Sequence, residues 1–272
     1  MDIQWCVCDL DGTLLDSRGR LGEANVTALK KLMNQGVELI LATGRSDLFV
    51  RDFVDKLGVR QPVISCNGGL IRNVTTGEVL LRRVIGEAKA RELTQYCLHN
   101  RYDTLAYTAE HVYYLSGSRK IGAYHRYNSE VESAFQVPLR EVQNVNDLPL
   151  PEVIKFLISG IDPQIAGHIQ TGLDTDDSLS MVQSMHNVLD IMAKGVSKGE
   201  AVSFLAQKLG MDLERTLVFG DNYNDVSMLA LVGWPITVAN AEEAVKRLAR
   251  FVAPSNDESG VAYAIEHFIL EG

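Results

Sequence analysis

Short apolar runs alternating with stretches of helical periodicity, at both ends of the chain but not in its middle, constrain the fold most. Gln4 to Cys8, Val37 to Ala42 and Pro62 to Cys66 are such runs in the first third, and Thr216 to Phe219 and Pro235 to Val238 in the last. Runs that are apolar throughout are buried on both faces, the pattern of a parallel sheet covered by helices. Gly22 to Gln35 carries Val26, Leu29, Leu32 and Met33 at helical spacing, and Gly36 closes it. Ser46 to Leu57 predicts a second helix. In the last third, helices are expected over 197–209, up to about Leu231, over 241–249 and over 260–270.

The middle has another pattern. A helix is expected over Glu87 to Asn100, then paired strand-like runs Thr104 to Thr108 and His111 to Ser116. A strand Val153 to Ser159 and a helix Asp162 to Leu173 follow. Leu179 to Ser184 and Val188 to Met192 then face each other across a turn at Met185-His186-Asn187. Hairpin-like neighbours mixed with helices indicate an α+β insertion with an antiparallel sheet. Linkers at Arg82-Arg83 and Ala193-Lys194-Gly195 would bound it. Residues 1–82 and 194–272 then form one domain, and 83–193 a second.

The formal net charge is −9 and no run is basic. That argues against nucleic acid as a partner, because phosphate-backbone binding needs clustered Lys and Arg. No apolar run approaches the roughly 20 residues that span a bilayer, and the N-terminus lacks a secretory signal pattern. Four cysteines in a chain of 272 residues do not make a disulfide framework. Cys6 and Cys8 are expected as small buried hydrophobes on one strand face, and a reducing cytoplasm as the compartment.

The chemistry sits where the apolar runs end. Asp9 and Asp11, two apart at the end of the first run, point the same way. Like charges that close raise each other's pKa unless a cation lies between them. They also lie where open α/β sheets bind ligands. Thr43-Gly44-Arg45 offers a hydroxyl, a glycine amide and a helix start to an anion. Lys198 stands at a helix start, and Asp221 and Asp225, four apart, enter another. Singly, Thr43 is a helix cap, Lys198 a surface charge and Asp9-Leu10-Asp11-Gly12 an acidic turn. Together, four carboxylates need a hard dication with oxygen ligands, Mg²⁺ beside phosphate being the usual case. The cationic and hydroxyl groups then suit a phosphoryl group.

In this combination the chain resembles the haloacid dehalogenase-like phosphatases. Asp9-Leu10-Asp11-Gly12-Thr13, Thr43-Gly44-Arg45, Lys198 and Gly220-Asp221-Asn222-Tyr223-Asn224-Asp225 are similar to that superfamily's four motifs. Gly195-Val196-Ser197-Lys198-Gly199, Ser65-Cys66-Asn67-Gly68-Gly69 and the segment Ser255 to Ala262 resemble its Cof-type subgroup with a type IIB cap. Asn222 departs from the subgroup, where Ser is common. The resemblance implies a Rossmann-like parallel-sheet core with an inserted α+β cap. It implies a phosphomonoester hydrolase acting on small phosphorylated metabolites, sugar phosphates foremost, in the cytoplasm.

It also implies roles. Asp9 would be the nucleophile that forms an aspartyl-phosphate, and Asp11 the general acid and then base. An acid at that position speaks against C–halogen cleavage. Thr43, Gly44, Lys198 and Asn224 would hold phosphate, with Lys198 also offsetting Asp9. Mg²⁺ would be held by Asp9, the Asp11 carbonyl and Asp221, with Asp225 direct or through water. Arg45 and Asn67 are possible substrate contacts. Tyr113, Tyr114, His125, Arg126 and Tyr127 are candidate leaving-group readers in the cap, against a plain packing role. A phosphomutase on a similar core and a non-catalytic phosphometabolite sensor are the alternatives. The leaving group and oligomeric state stay open.

Overall fold

A computed structural model describes residues 2–185 and 187–270; His186, in the expected hairpin turn, lies outside them. The chain opens with β1 (Trp5–Cys8), α1 (Glu23–Asn34), β2 (Glu38–Leu41) and α2 (Arg51–Leu57). Helix α1 buries Ala28, Leu29 and Leu32 on one face, as their spacing requires. The expected helix over 46–57 is divided. A tight turn at Asp47–Phe49 is capped by the Ser46 hydroxyl, and Val50 (φ −134°, ψ 2°) breaks it from α2.

Next come three short strands, β3 (Val63–Ser65), β4 (Leu70–Arg72) and β5 (Val79–Arg82), paired antiparallel in that order. This corrects the sequence expectation, which gave the run 62–66 to the parallel sheet and had no β4 or β5. β3 meets β2's end at only one bridge, Ala42 to Ile64, with the Thr43 amide donating to the Ile64 carbonyl at 2.8 Å. The chain then reverses through Cys66, Asn67 and Gly68, with φ of +50°, +57° and +100°. A Cβ on Gly68 would lie 2.3 Å from the Ser197 carbonyl oxygen, so only glycine fits this reversal.

The middle contains α3 (Glu87–Asn100), β6 (Asp103–Tyr107), β7 (Val112–Leu115), α4 (Gly122–Glu130), β8 (Leu139–Val142), β9 (Lys155–Ser159), α5 (Pro163–Leu173), β10 (Leu179–Met185) and β11 (Val188–Ala193). Its sheet runs β10-β11-β9-β6-β7-β8 and is antiparallel except for β7 with β8. Strand alternation divides its side chains. Ala106, Phe156, Ile158 and Ile191 pack under Ala90, Leu93 and Cys97 of α3. Leu105, Tyr107, Leu157 and Val188 on the other face pack with Leu48, Cys66 and Leu70 of the first third. That second face lies against the loops of the parallel sheet.

The chain returns through α6 (Lys198–Leu209), β12 (Thr216–Phe219), α7 (Val226–Leu229), β13 (Trp234–Val238), α8 (Glu243–Lys246), β14 (Phe251–Ala253) and α9 (Gly260–Ala264), which continues as a π-helical stretch Ile265–Leu270. The parallel sheet has the order β14-β13-β12-β1-β2, with Val7 between Val218 and Ile40. β1 is therefore an interior strand, with β2 at the sheet edge on one side and β12, the central strand, on the other. The crevice beyond the strands' C-terminal ends is where such sheets bind ligands. All four cysteines are buried and free. Among the described residues, no helix is long and apolar enough to cross a membrane.

Candidate active site

Asp9 leaves the end of β1 with its amide bonded to the Phe219 carbonyl at 3.1 Å, which ties it to the end of β12. The turn that follows needs Gly12: at φ +81°, a Cβ there would lie 2.4 Å from Asp221 Oδ2. Thr13 Oγ1 donates to Asp221 Oδ1 at 2.6 Å. Asp225 Oδ2 accepts from the Asp221 and Asn222 amides at 2.9 and 3.0 Å, folding this loop back on itself. Ser197 caps α6 through the Glu200 amide, so Lys198 starts the helix and turns inward.

Lys198 Nζ, fully buried, donates to Asp9 Oδ1 at 2.5 Å and to Asp225 Oδ1 at 2.6 Å. Burial works against its charge, but the two carboxylates outweigh that and raise its pKa. Burial and the neighbouring Asp225 push the Asp9 carboxyl well up despite Lys198. The same two causes push Asp221 up to about 7. Carboxylate oxygens of Asp9, Asp221 and Asp225 lie within 4.8 Å of one another, all three residues buried. Three buried carboxylates share one ammonium, a shortage of positive charge that the raised Asp9 and Asp221 carboxyls reflect. That donor set fits a hard cation.

Asp11 faces the other way. Arg45 Nε donates to its Oδ2 at 2.7 Å and Nη2 to its Oδ1 at 2.5 Å, a two-pronged pair. Partial burial raises the Asp11 carboxyl, but the guanidinium's charge and hydrogen bonds outweigh it and hold the pKa below the usual value. Its side chain is not part of the carboxylate cluster. The Arg45 guanidinium lies 4.7 Å over the Phe49 ring. Thr43 is wholly buried, with Oγ1 accepting from the Arg45 amide at 3.1 Å.

Asn67 joins two parts of the chain. Its Oδ1 accepts from Asn224 Nδ2 at 3.0 Å, and its Nδ2 donates to Asp190 Oδ2 at 2.8 Å. Asp190 on β11 pairs with Lys155 on β9, whose Nζ donates to the Gly44 carbonyl at 2.6 Å. Asp9, Asp11, Gly44, Arg45 and Asn224 line one cavity of about 260 Å³ together with Phe49, Tyr107, Lys120, Tyr124, Lys155 and Asp190.

The sequence reading missed that second group. Its signal was present: Asp190 and Lys155 are lone charges in apolar strands. Tyr113, Tyr114, His125, Arg126 and Tyr127, weighed as leaving-group readers against a plain packing role, do not line the cavity, in keeping with packing. Tyr113 faces the α3 side of its sheet. Tyr127 lies on the Tyr124 side of α4 but is taken by Phe49, 4.4 Å between ring centres, and by Asp52, to which its hydroxyl donates at 2.8 Å.

A family profile described as haloacid dehalogenase-like hydrolase matches residues 6–265. The chain belongs to that family. It is 27% identical to the 5-amino-6-(5-phospho-D-ribitylamino)uracil phosphatase YwtE of Bacillus subtilis, over 96% of each chain. A haloacid dehalogenase-like hydrolase from Bacteroides thetaiotaomicron superposes with a TM-score of 0.84 at 27% identity, over 98% of this chain and all of the other. The HAD subclass IIB sugar phosphatase BT4131 shares the fold, with a TM-score of 0.81 at 21% identity over 97% and 98% of the two chains. The chain is thus a HAD-type phosphatase of the Cof-type group, with a carboxylate cluster able to hold a metal ion.

Proposed function

We propose that this phosphatase is a Mg²⁺-dependent phosphomonoesterase of small phosphorylated metabolites, sugar phosphates foremost, working through an aspartyl-phosphate. The observation that carries the reading is Lys198 held between Asp9 and Asp225, with Asp9 lining the same cavity as Asp11. Asp9 attacks phosphorus in line; Lys198 opposes the burial and the Asp225 charge that raise the Asp9 carboxyl, and a bound dication would complete that offset. Asp11 protonates the leaving oxygen, then draws a proton from the water that cleaves the aspartyl-phosphate. Its pairing with Arg45 holds it ionised, so it must turn from Arg45 and take up a proton before it can act as acid.

Thr43, Gly44, Asn224 and Lys198 would hold the phosphoryl oxygens, with Arg45 and Asn67 as further substrate contacts. Mg²⁺, held by Asp9, Asp221, Asp225 and the Asp11 carbonyl, would supply positive charge against the oxygens of the transferring group. Residues 83–193 act as the cap over a core made of 1–82 and 194–272, excluding water and reading the leaving group. A relative named for a phosphoribitylamino compound supports a polyol-like leaving group. Four buried thiols, none in a disulfide, support a reducing cytoplasm.

The test is phosphate release from sugar phosphates, nucleotides and cofactor phosphates, with and without Mg²⁺. Release should require Mg²⁺ and vanish in Asp9→Asn. Near-normal turnover by folded Asp9→Asn removes Asp9 as nucleophile, and isomerised sugar phosphate without free phosphate turns the reading to a phosphomutase.

A further inference from the structure

Asp190 and Lys155 form an ion pair in which each side chain is only 1% exposed. Desolvating two charges is costly unless the surroundings complete their hydrogen bonds. The surroundings do so only in part. Lys155 spends one of its three N–H donors on the Gly44 carbonyl, and its Nζ lies 4.8 Å from the centre of the Tyr107 ring. Asp190 Oδ2 accepts from Asn67. Asp190 Oδ1 lies 2.9 Å from Lys155 Nζ, yet accepts no aligned hydrogen bond.

Both residues line the cavity that holds Asp9 and Asp11. The cavity wall therefore presents an acceptor and a cationic donor side by side, next to the rings of Tyr107 and Tyr124. A hydroxyl completes this arrangement by donating to Asp190 Oδ1 and accepting from Lys155, and neighbouring hydroxyls can use both at once. The rings offer an apolar face for the C–H groups of the same molecule. An alkyl group in that place would leave a buried carboxylate oxygen without a donor, which is where hydrogen-bonding sites discriminate most strongly.

We propose that Asp190 and Lys155 are specificity-determining residues that read hydroxyl groups of the leaving group, so that the enzyme selects phosphomonoesters of polyhydroxylated alcohols. This deepens the phosphomonoesterase reading and rests on it. The test compares kcat/KM, by phosphate release with Mg²⁺, for erythritol 4-phosphate, n-butyl phosphate and para-nitrophenyl phosphate. Wild type should prefer erythritol 4-phosphate to the butyl ester, equal in carbon number, by at least about tenfold. Asp190→Asn, and independently Lys155→Met, should collapse that ratio toward unity.

Equal treatment of the two esters by wild type overturns the proposal with no variant needed. So does a ratio retained in either folded variant, or turnover of para-nitrophenyl phosphate with neither alkyl ester accepted. Release from none of the three would instead remove the phosphomonoesterase reading, and the assignment with it.

Discussion

Lys198→Met is the sharpest perturbation of the site's electrostatics. The ammonium is wholly buried and touches Asp9 and Asp225 at 2.5 and 2.6 Å, with Asp221 in the same cluster. Methionine fills much the same volume, so little packing is lost. The charge balance is lost: three buried carboxylates then face each other with no cation. Breaking a buried pair by removing one partner costs about 3–5 kcal/mol. Two carboxylates share this lysine, so the upper end applies. At about 2–4 °C per kcal/mol for a large domain, the midpoint should fall by at least about 10 °C. The assay is thermal unfolding at pH 8 with EDTA, wild type beside variant. Adding MgCl₂ should recover part of the loss, since a dication would replace the missing charge. A chelated variant within about 1 kcal/mol of wild type would refute the view that Lys198 neutralises this cluster.

Three further outcomes are expected. Gly68→Ala should cost about 1–3 kcal/mol from its positive φ alone and more from the clash with the Ser197 backbone, read as a fall in melting temperature; an unchanged midpoint would show that the reversal yields easily. In chelated protein, Asp221 titrates in the fold at about 7 against 3.8 ordinarily, so the folded state binds more protons between those values. Its stability should therefore rise as pH falls from 8 to 6, and a Mg²⁺-saturated sample should lack that gain; scanning calorimetry at both pH values decides. Cys6, Cys8, Cys66 and Cys97 are buried, and burial raises each thiol's pKa. A thiol reagent should label none of them before unfolding.

The parallel sheet and its loops were legible because β1, β2 and β12 are apolar on both faces, and each ends where a polar motif begins. The elements that escaped are those whose sequences carry little periodicity. Strand β8 is Leu-Arg-Glu-Val at a sheet edge, and α4 buries only Tyr124. β4 and β5 depend on the reversal at Cys66 to Gly68, which two non-glycine residues at positive φ do not announce. At the site, Asp9, Lys198, Asp221 and Asp225 could be read from their spacing beside apolar runs. The Asp11–Arg45 pair could not, because a flexible side chain's choice of partner is set by packing around Phe49. Asp190 and Lys155 were readable in principle: a charge in the middle or at the start of an apolar strand must find a partner.

Arg83, where the chain leaves the parallel-sheet part, and Gly195, where it returns, line one small surface hollow. Departure and return are thus neighbours, and the strand order of the parallel sheet does not depend on what is threaded between them. The intervening stretch can be lengthened, shortened or replaced without re-routing any core strand. On the proposed division into core and cap, chemistry and selectivity would be heritable in separate pieces: a chimera that takes its middle from a relative should keep this chain's reacting groups and acquire the donor's choice of alcohol.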